Sequence, residues 1–319
     1  MARNNLRQTK KSGWMFFWPL FLFVFPVLGF SGFGQEKPPP LPVEELPKAV
    51  AEGTTPDGKL FKEFLKTQKS RFAYGRSIRI TLPPVGSLNI VGTSKLEVSV
   101  EARVHVEGAS STDLDELARR IGFTFGQGPT GFELISLGPQ AKLSGKDKKK
   151  VIEGLSSALQ KLPYRIDYVI KVPEYTDLDI SMFDGELVLG NIYGGIVFRA
   201  QKANVKLTSM AGTIVGTVGI GSLLVELSSL SWRGSGIKVE LGVGDVALSV
   251  PRGYSADVTL GASEPLEILF PLNRGDDIPD DAPVGNQLKA RFGVGGAELI
   301  FATQRGKLKV VQYPPLERK

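Results

Sequence analysis

Asp177, Asp179 and Asp184 crowd the run TDLDISMFDGE. Carboxylates lining a groove are what β-helical polysaccharide-cleaving enzymes use to protonate a glycosidic oxygen and activate water. Strand alternation, however, puts Asp177 and Asp179 on one outward face, so a solvated edge is the simpler expectation. A second acidic group, Asp276, Asp277, Asp280 and Asp281, flanks Ile278-Pro279. Its oxygens suit calcium, but the spacing lacks an EF-hand pattern and an ordinary acidic loop is expected. His105 is the single histidine and the chain has no cysteine. Those two counts exclude a Ser-His-Asp triad, histidine or thiolate metal clusters, disulfides and a lipid-modified cysteine. His105 itself sits in the alternating run ARVHVEG and is expected on a strand face.

Two glycine patterns resemble nucleotide-binding loops on paper only. Gly53, Gly58 and Lys59 fall at P-loop positions, but Leu60 stands where the magnesium-binding Ser or Thr belongs and no strand precedes them. Gly242-Val243-Gly244-Asp245-Val246-Ala247 fits a dinucleotide fingerprint, yet the ALSV that follows reads as strand where a helix is required. No cofactor and no metal are therefore expected. Trp232 and Arg233 are the remaining candidates: an aromatic face beside a guanidinium can stack on a sugar or a peptide, and equally can pack over the edge of a β-structure.

The N-terminus is a separate object. Arg3, Arg7, Lys10 and Lys11 precede an uncharged apolar run from Trp14 to Phe30, which is the pattern of an export signal. Gly32 and Gly34 favour cleavage after Gly34. The run also reaches the lower edge of what spans a bilayer, so a retained anchor that attaches the protein to a membrane through residues 14–30 is the alternative. The formal charge of +6 falls to +2 once the four basic residues of the leader are removed (6 − 4), which gives no reason to expect nucleic acid as a partner.

The elements that must position these residues follow from periodicity. Pro38, Pro39, Pro40, Pro42 and Pro47 form a spacer with polyproline character. Phe61, Phe64 and Leu65 at i, i+3, i+4 predict a short amphipathic helix. SIRITL, SLNIV and LEVSVEARVHV then alternate with period two and predict strands, the last two joined by a turn at Gly92 to Lys95. TDLDELARRIGF predicts a helix capped by Thr112 and closed by Gly122, with Leu114, Leu117, Ala118 and Ile121 on its apolar face. FTFGQGPTGFELISL resumes strands. Lys146, Lys148, Lys149 and Lys150 mark a solvated loop, with an anionic-surface contact as the minor alternative. VIEGLSSALQKL predicts a brief helix before RIDYVIKVP re-enters the sheet.

From there turn residues fall at Gly185, Gly195, Asn204, Gly212 and Gly221, at intervals of 10, 9, 8 and 9. Each interval holds a strand such as ELVL, GIVF, NVKL or LLVEL. The next marks, Gly236 and Gly244, follow at 15 and 8, so the segment LSSLSWRG should bulge from the array by about six residues. An antiparallel meander would show the same spacing. The Gly, Ser, Thr and Asn within the strands favour a parallel β-solenoid, in which stacked units bury a core that one unit cannot.

IDYVIKVPEYTDLDISMFDGELVLGNIYGGIVFRAQKANVKLTSMAGTI resembles the core of the bacterial putative-adhesin family, exported proteins with a glycine-punctuated β-solenoid. The strand ending in Val172-Pro173 before the glycine-marked units matches that pattern. SLNIVGTSKLEVSVEARV is similar to the family's opening hairpin. SADVTL and FGVGGAELIFATQRGKLKVVQ are similar to its closing coils, with Gly295-Gly296 and Gly306 at the turns. The resemblance covers about Ser77 to Gln312; the lysine-rich insert and the Ser231-Trp232-Arg233 loop depart from it. The family's pattern carries no catalytic residues.

The expectation is an all-β chain: a signal peptide or anchor over 1–34, a Pro-rich linker over 35–56, a hairpin-and-helix entry region over 57–167, a parallel β-solenoid over 168–313 and a tail over 314–319. The expected function is that of an exported, non-catalytic, adhesin-like envelope or surface protein. It binds a surface protein or glycan, with Trp232 and Arg233 as candidate contacts. The alternative is a β-helical polysaccharide-active enzyme.

Overall fold

The computed structural model describes residues 49–73, 75–83, 85–128, 131–141, 151–270 and 285–313. The export segment, the proline-rich spacer up to residue 48, the lysine-rich run 146–150, the acidic group 276–281 and the tail 314–319 lie outside the described residues.

The chain is all-β. Its first part contains β1 (Ala49–Thr54), β2 (Leu60–Arg71), β3 (Ser77–Thr81), β4 (Val85–Thr93), β5 (Glu97–Gly108), helix α1 (Ser111–Arg120), β6 (Gly122–Gly128), β7 (Gly131–Leu137) and β8 (Tyr164–Pro173). Three long strands follow: β9 (Asp177–Gly190), β10 (Gly195–Thr208) and β11 (Thr213–Glu226). The rest comprises β12 (Gly236–Val243), β13 (Val246–Pro251), β14 (Ala256–Gly261), β15 (Glu267–Ile268), β16 (Gln287–Phe292), β17 (Glu298–Arg305) and β18 (Leu308–Tyr313). Alternation drives these choices: in β5, Val98, Val100, Ala102, Val104 and Val106 are all buried while their neighbours face outward.

The strands form two ladders that share the three long strands. One runs β6-β7-β3-β9-β10-β11-β12-β17-β14-β16. The other runs β1-β2-β5-β8-β4-β9-β10-β11-β13-β18-β15. Pairing is parallel through the middle of both and antiparallel only toward their ends, at β6–β7, β14–β16 and β1–β2–β5–β8. Every pairing among β9 to β13 is parallel, so the antiparallel meander is excluded there.

The repeat is twice the glycine step. Ile196 pairs with Leu178 and Ile214 with Ile196, and the offset is 18 in each case (196 − 178 and 214 − 196). We call each such level a tier. The expected short strands of about four paired residues are instead 14 residues long. Gly185 and Gly221 bend them without ending them, at φ of 146° and 147°, a backbone state that favours glycine. Between β11 and β12 the offset grows to 23 (Ile237 against Ile214), so the expected bulge amounts to five extra positions.

The segment GKLFKEFLKTQK (58–69), read as a short helix, falls in strand β2 from Leu60 onward. Twelve consecutive residues pair with β5, which satisfies the backbone that a helix would have satisfied locally. Phe64 is buried while Leu65 is 36% exposed, so the two face opposite sides. Helix α1 forms as expected with Leu114, Leu117 and Ala118 buried, but its cap is Ser110, whose hydroxyl accepts the Asp113 N–H at 3.5 Å, and it stops at Ile121. Lys62 of β2 pins the helix through Asp115 at 2.7 Å. The segment 151–162 closes with a 3-10 turn at Leu159–Lys161. Strands β4 and β5, expected as a hairpin, do not pair: β8 lies between them, parallel to β4 and antiparallel to β5, so each strand gains a second bonded edge.

The tiers are also out of chain order at the far end. Strands β17 and β18 sit directly against β12 and β13, while β14 and β15, earlier in sequence, lie beyond them. Inside the stack, Ile180, Phe198, Gly216, Val239 and Phe301 form one inward column. A β-carbon on Gly216 would strike the Phe198 ring, so the missing side chain on one tier makes room for the large one on the next.

Candidate partner-binding ridge

The turns that link successive tiers stack into a ridge, and this is where the two sequence candidates fall. The β11–β12 turn carries Trp232 and Arg233. Trp232 is 7% exposed, packed in the core, and its indole N–H donates to the Gly212 carbonyl at 2.9 Å. Arg233 is exposed, with its guanidinium carbon 5.1 Å from the centre of the Tyr193 ring. That separation suits a cation–π contact. Tyr193 in turn meets Tyr175 edge to face, ring centres 5.6 Å apart at 67°. Tyr175 is 52% exposed. The ridge surface is therefore Tyr175, Tyr193 and Arg233, with Trp232 as its footing.

Backbone bonds fix this arrangement. The Tyr193 N–H donates to the Glu174 carbonyl at 2.7 Å, Ala211 to Ile192 at 3.1 Å, and Gly212 to Arg233 at 2.6 Å. The buried Thr176 hydroxyl donates to the Pro173 carbonyl at 2.7 Å. A β-carbon at Gly194 would meet the Thr176 carbonyl, so the turns approach each other more closely than another residue type allows. Sequence reasoning singles out Trp232 and Arg233 but not the two tyrosines that lie beside Arg233. The available signal is their separation in sequence, 193 − 175 = 18, which equals the offset of one tier.

The aspartates do not converge on a groove. Asp177 accepts the Gly195 N–H at 2.6 Å. Asp179 lies between Arg79 at 3.4 Å and Arg199 at 3.1 Å, and Arg79 also reaches Glu133 at 3.4 Å. Asp184 pairs with Lys202 at 3.3 Å. Each carboxylate is matched by a donor on the outward face.

The other sequence motifs fall on strands and turns. His105 stands on the β5 face between Glu63 at 3.4 Å and Glu107 at 3.0 Å, stacked on Phe61 at 5.4 Å. Gly53 lies in β1, and residues 55–59 form the β1–β2 hairpin turn, in which the Gly58 N–H donates to the Thr55 carbonyl at 2.9 Å. Gly242 lies in β12 and Gly244 in the bend between β12 and β13. An open groove of about 540 Å³ lies on the β14, β16 and β17 face, lined by Asp257, Thr259, Lys289, Arg291 and Glu298. There the Arg291 hydrogen bond at 2.8 Å, helped by the Gly296 N–H, holds the Asp257 carboxyl below its ordinary range.

The sequence matches no family model and no curated protein. Among solved structures it is similar to a putative cell adhesion protein from Clostridium sporogenes, at 15% identity over 78% of this chain and 100% of that one, with a TM-score of 0.38. A putative adhesin from Bacteroides fragilis aligns at 11% identity over 77% and 97%, with a TM-score of 0.23. A putative lipid binding protein from Parabacteroides distasonis aligns at 10% identity over 77% and 96%, with a TM-score of 0.18.

Proposed function

We propose that this chain is an exported, non-catalytic, adhesin-like surface or envelope protein. Its tiers are successive coils of a β-solenoid, and it binds a partner through the corner ridge built on Trp232 and Arg233. The basic-then-apolar N-terminus supports export, with release after Gly34 or retention as an anchor. The single observation that carries the binding reading is the juxtaposition of Tyr175, Tyr193 and Arg233 on a rigid turn column. Affinity in recognition surfaces concentrates in such aromatic and arginine anchors. The polysaccharide-cleaving alternative requires a converging carboxylate pair, and Asp177, Asp179 and Asp184 are each engaged in a donor contact on an outward face.

Binding of the mature chain to washed envelopes of the source organism tests this reading. The wild type is expected to bind saturably, and Tyr175→Ala with Arg233→Ala to bind at least about tenfold more weakly at unchanged Tm, as expected for loss of anchor residues. Equal binding by both would reject the ridge. Turnover on a glycan panel that Asp179→Ala or Asp184→Ala abolishes would replace the reading with the enzymatic one.

A further inference from the structure

We infer that the ridge takes an acidic polysaccharide, one that carries carboxylates along a chain of sugar rings; this rests on the binding reading above. The ridge is a line and not a pocket: Tyr175, Tyr193 and Arg233 sit on turns of the first, second and fourth of four successive tiers, with Ala211 between. The Tyr175 and Tyr193 ring centres are 5.6 Å apart and the Arg233 guanidinium lies 5.1 Å from the Tyr193 ring, so the line is no longer than those two steps together. A short linear site fits adjacent units of a polymer and gives a small molecule nothing to enclose it.

The chemistry of the two ends is complementary to such a chain. Tyr175, half exposed and held edge-on by Tyr193, offers a flat apolar face with a hydroxyl at its rim. Arg233 is poised over Tyr193 and makes no ion pair among the described residues. A guanidinium stacked on an aromatic ring keeps its N–H fork free for a carboxylate in the plane, the arrangement that favours bidentate recognition. Asp177, two residues past Tyr175, accepts the Gly195 N–H at 2.6 Å. The separation of Tyr175 from Arg233 along the stack sets a sugar-stacking position and a carboxylate position on different residues of the same polymer.

Equilibrium binding to polygalacturonate, alginate and hyaluronan, each against a carboxyl-esterified form of the same polymer, tests the inference. At least one uronate polymer should bind the mature chain, its ester should bind about tenfold more weakly or worse, and binding should weaken as salt rises. Arg233→Gln should reproduce the loss seen on esterification and leave residual binding equal for the two forms, while Tyr175→Ala should weaken both. Binding that does not distinguish acid from ester, or that is untouched by Arg233→Gln, overturns the inference, as does failure of all three polymers. If the polymers fail while envelopes still select wild type over the ridge variants, the binding reading stands and only the acidic-glycan assignment falls.

Discussion

Trp232 hangs its indole N–H on the Gly212 carbonyl at 2.9 Å, so the turn that displays Arg233 is tied to the turn of the tier beside it. The two neighbours therefore have separable roles. Trp232→Ala should cost about 3–5 kcal/mol through the cavity it leaves, whereas Arg233→Ala should cost less than about 1 kcal/mol. Urea unfolding of the two single variants measures the difference, and equal losses would mean that Arg233 is structural.

Gly244 lies directly against the Gly221 carbonyl, at φ of 134°, and a β-carbon there would collide with that oxygen. Gly306 stands in the same relation to Gly244. Gly244→Ala is expected to destabilise the stack by at least about 2 kcal/mol, combining backbone strain with the clash. Denaturant titration against Gly253→Ala, a positive-φ glycine with nothing nearby, separates the contact from the strain.

Val239 is fully buried between Gly216 and Phe301. Val239→Asp places an unpaired carboxylate in that column and should remove several kcal/mol, enough to abolish a cooperative melting transition near room temperature. A wild-type-like melt followed by circular dichroism would mean that Ile237, Val239 and Leu241 face solvent.

Burial pushes the Tyr164 phenol up from 10.0 to about 12, and burial pushes Tyr168 and Tyr254 higher still. A phenol held neutral in the fold binds its proton more tightly than in the unfolded chain. The resulting stability is complete below about pH 10 and is lost as pH rises toward about 12 and beyond. Denaturation midpoints should thus be level near neutrality and fall from about pH 10 upward, and Tyr164→Phe should flatten the first part of that fall. A midpoint that rises with alkalinity would contradict the burial of these rings.

Much of this fold is legible in the sequence, and the misreadings share a cause. Strand β5 and helix α1 declare themselves through local period, because one face of each is buried along its whole length. Residues 58–69 mislead because Phe61, Phe64 and Leu65 mimic a helical stripe, and only the pairing partner β5 settles the conformation. Gly185 and Gly221 are visible as breaks, but a residue that bends a strand and one that ends it look alike in sequence. The glycine step therefore gives half the true tier length, which hides the kinship of Tyr175 and Tyr193 as equivalent positions on adjacent tiers. The placement of β17 and β18 ahead of β14 and β15 depends on pairings between distant segments, such as Gly236 with Glu298, and leaves no local mark.

The parallel register of one tier on the next is what gathers the ridge, and the cysteine-free chain permits a direct test of it. Val197 and Val215 are register partners on the outward face of β10 and β11. A Val197→Cys, Val215→Cys double variant should close a disulfide under mild oxidation, because bonded neighbours place α-carbons within the roughly 4.4–6.8 Å that a disulfide spans. Val197→Cys with Ile220→Cys, five positions out of register, should stay reduced. Intact-mass measurement reads the result: loss of two hydrogens in the first variant alone is the predicted outcome, and closure of the second with the first remaining reduced would contradict the stacking on which the ridge depends.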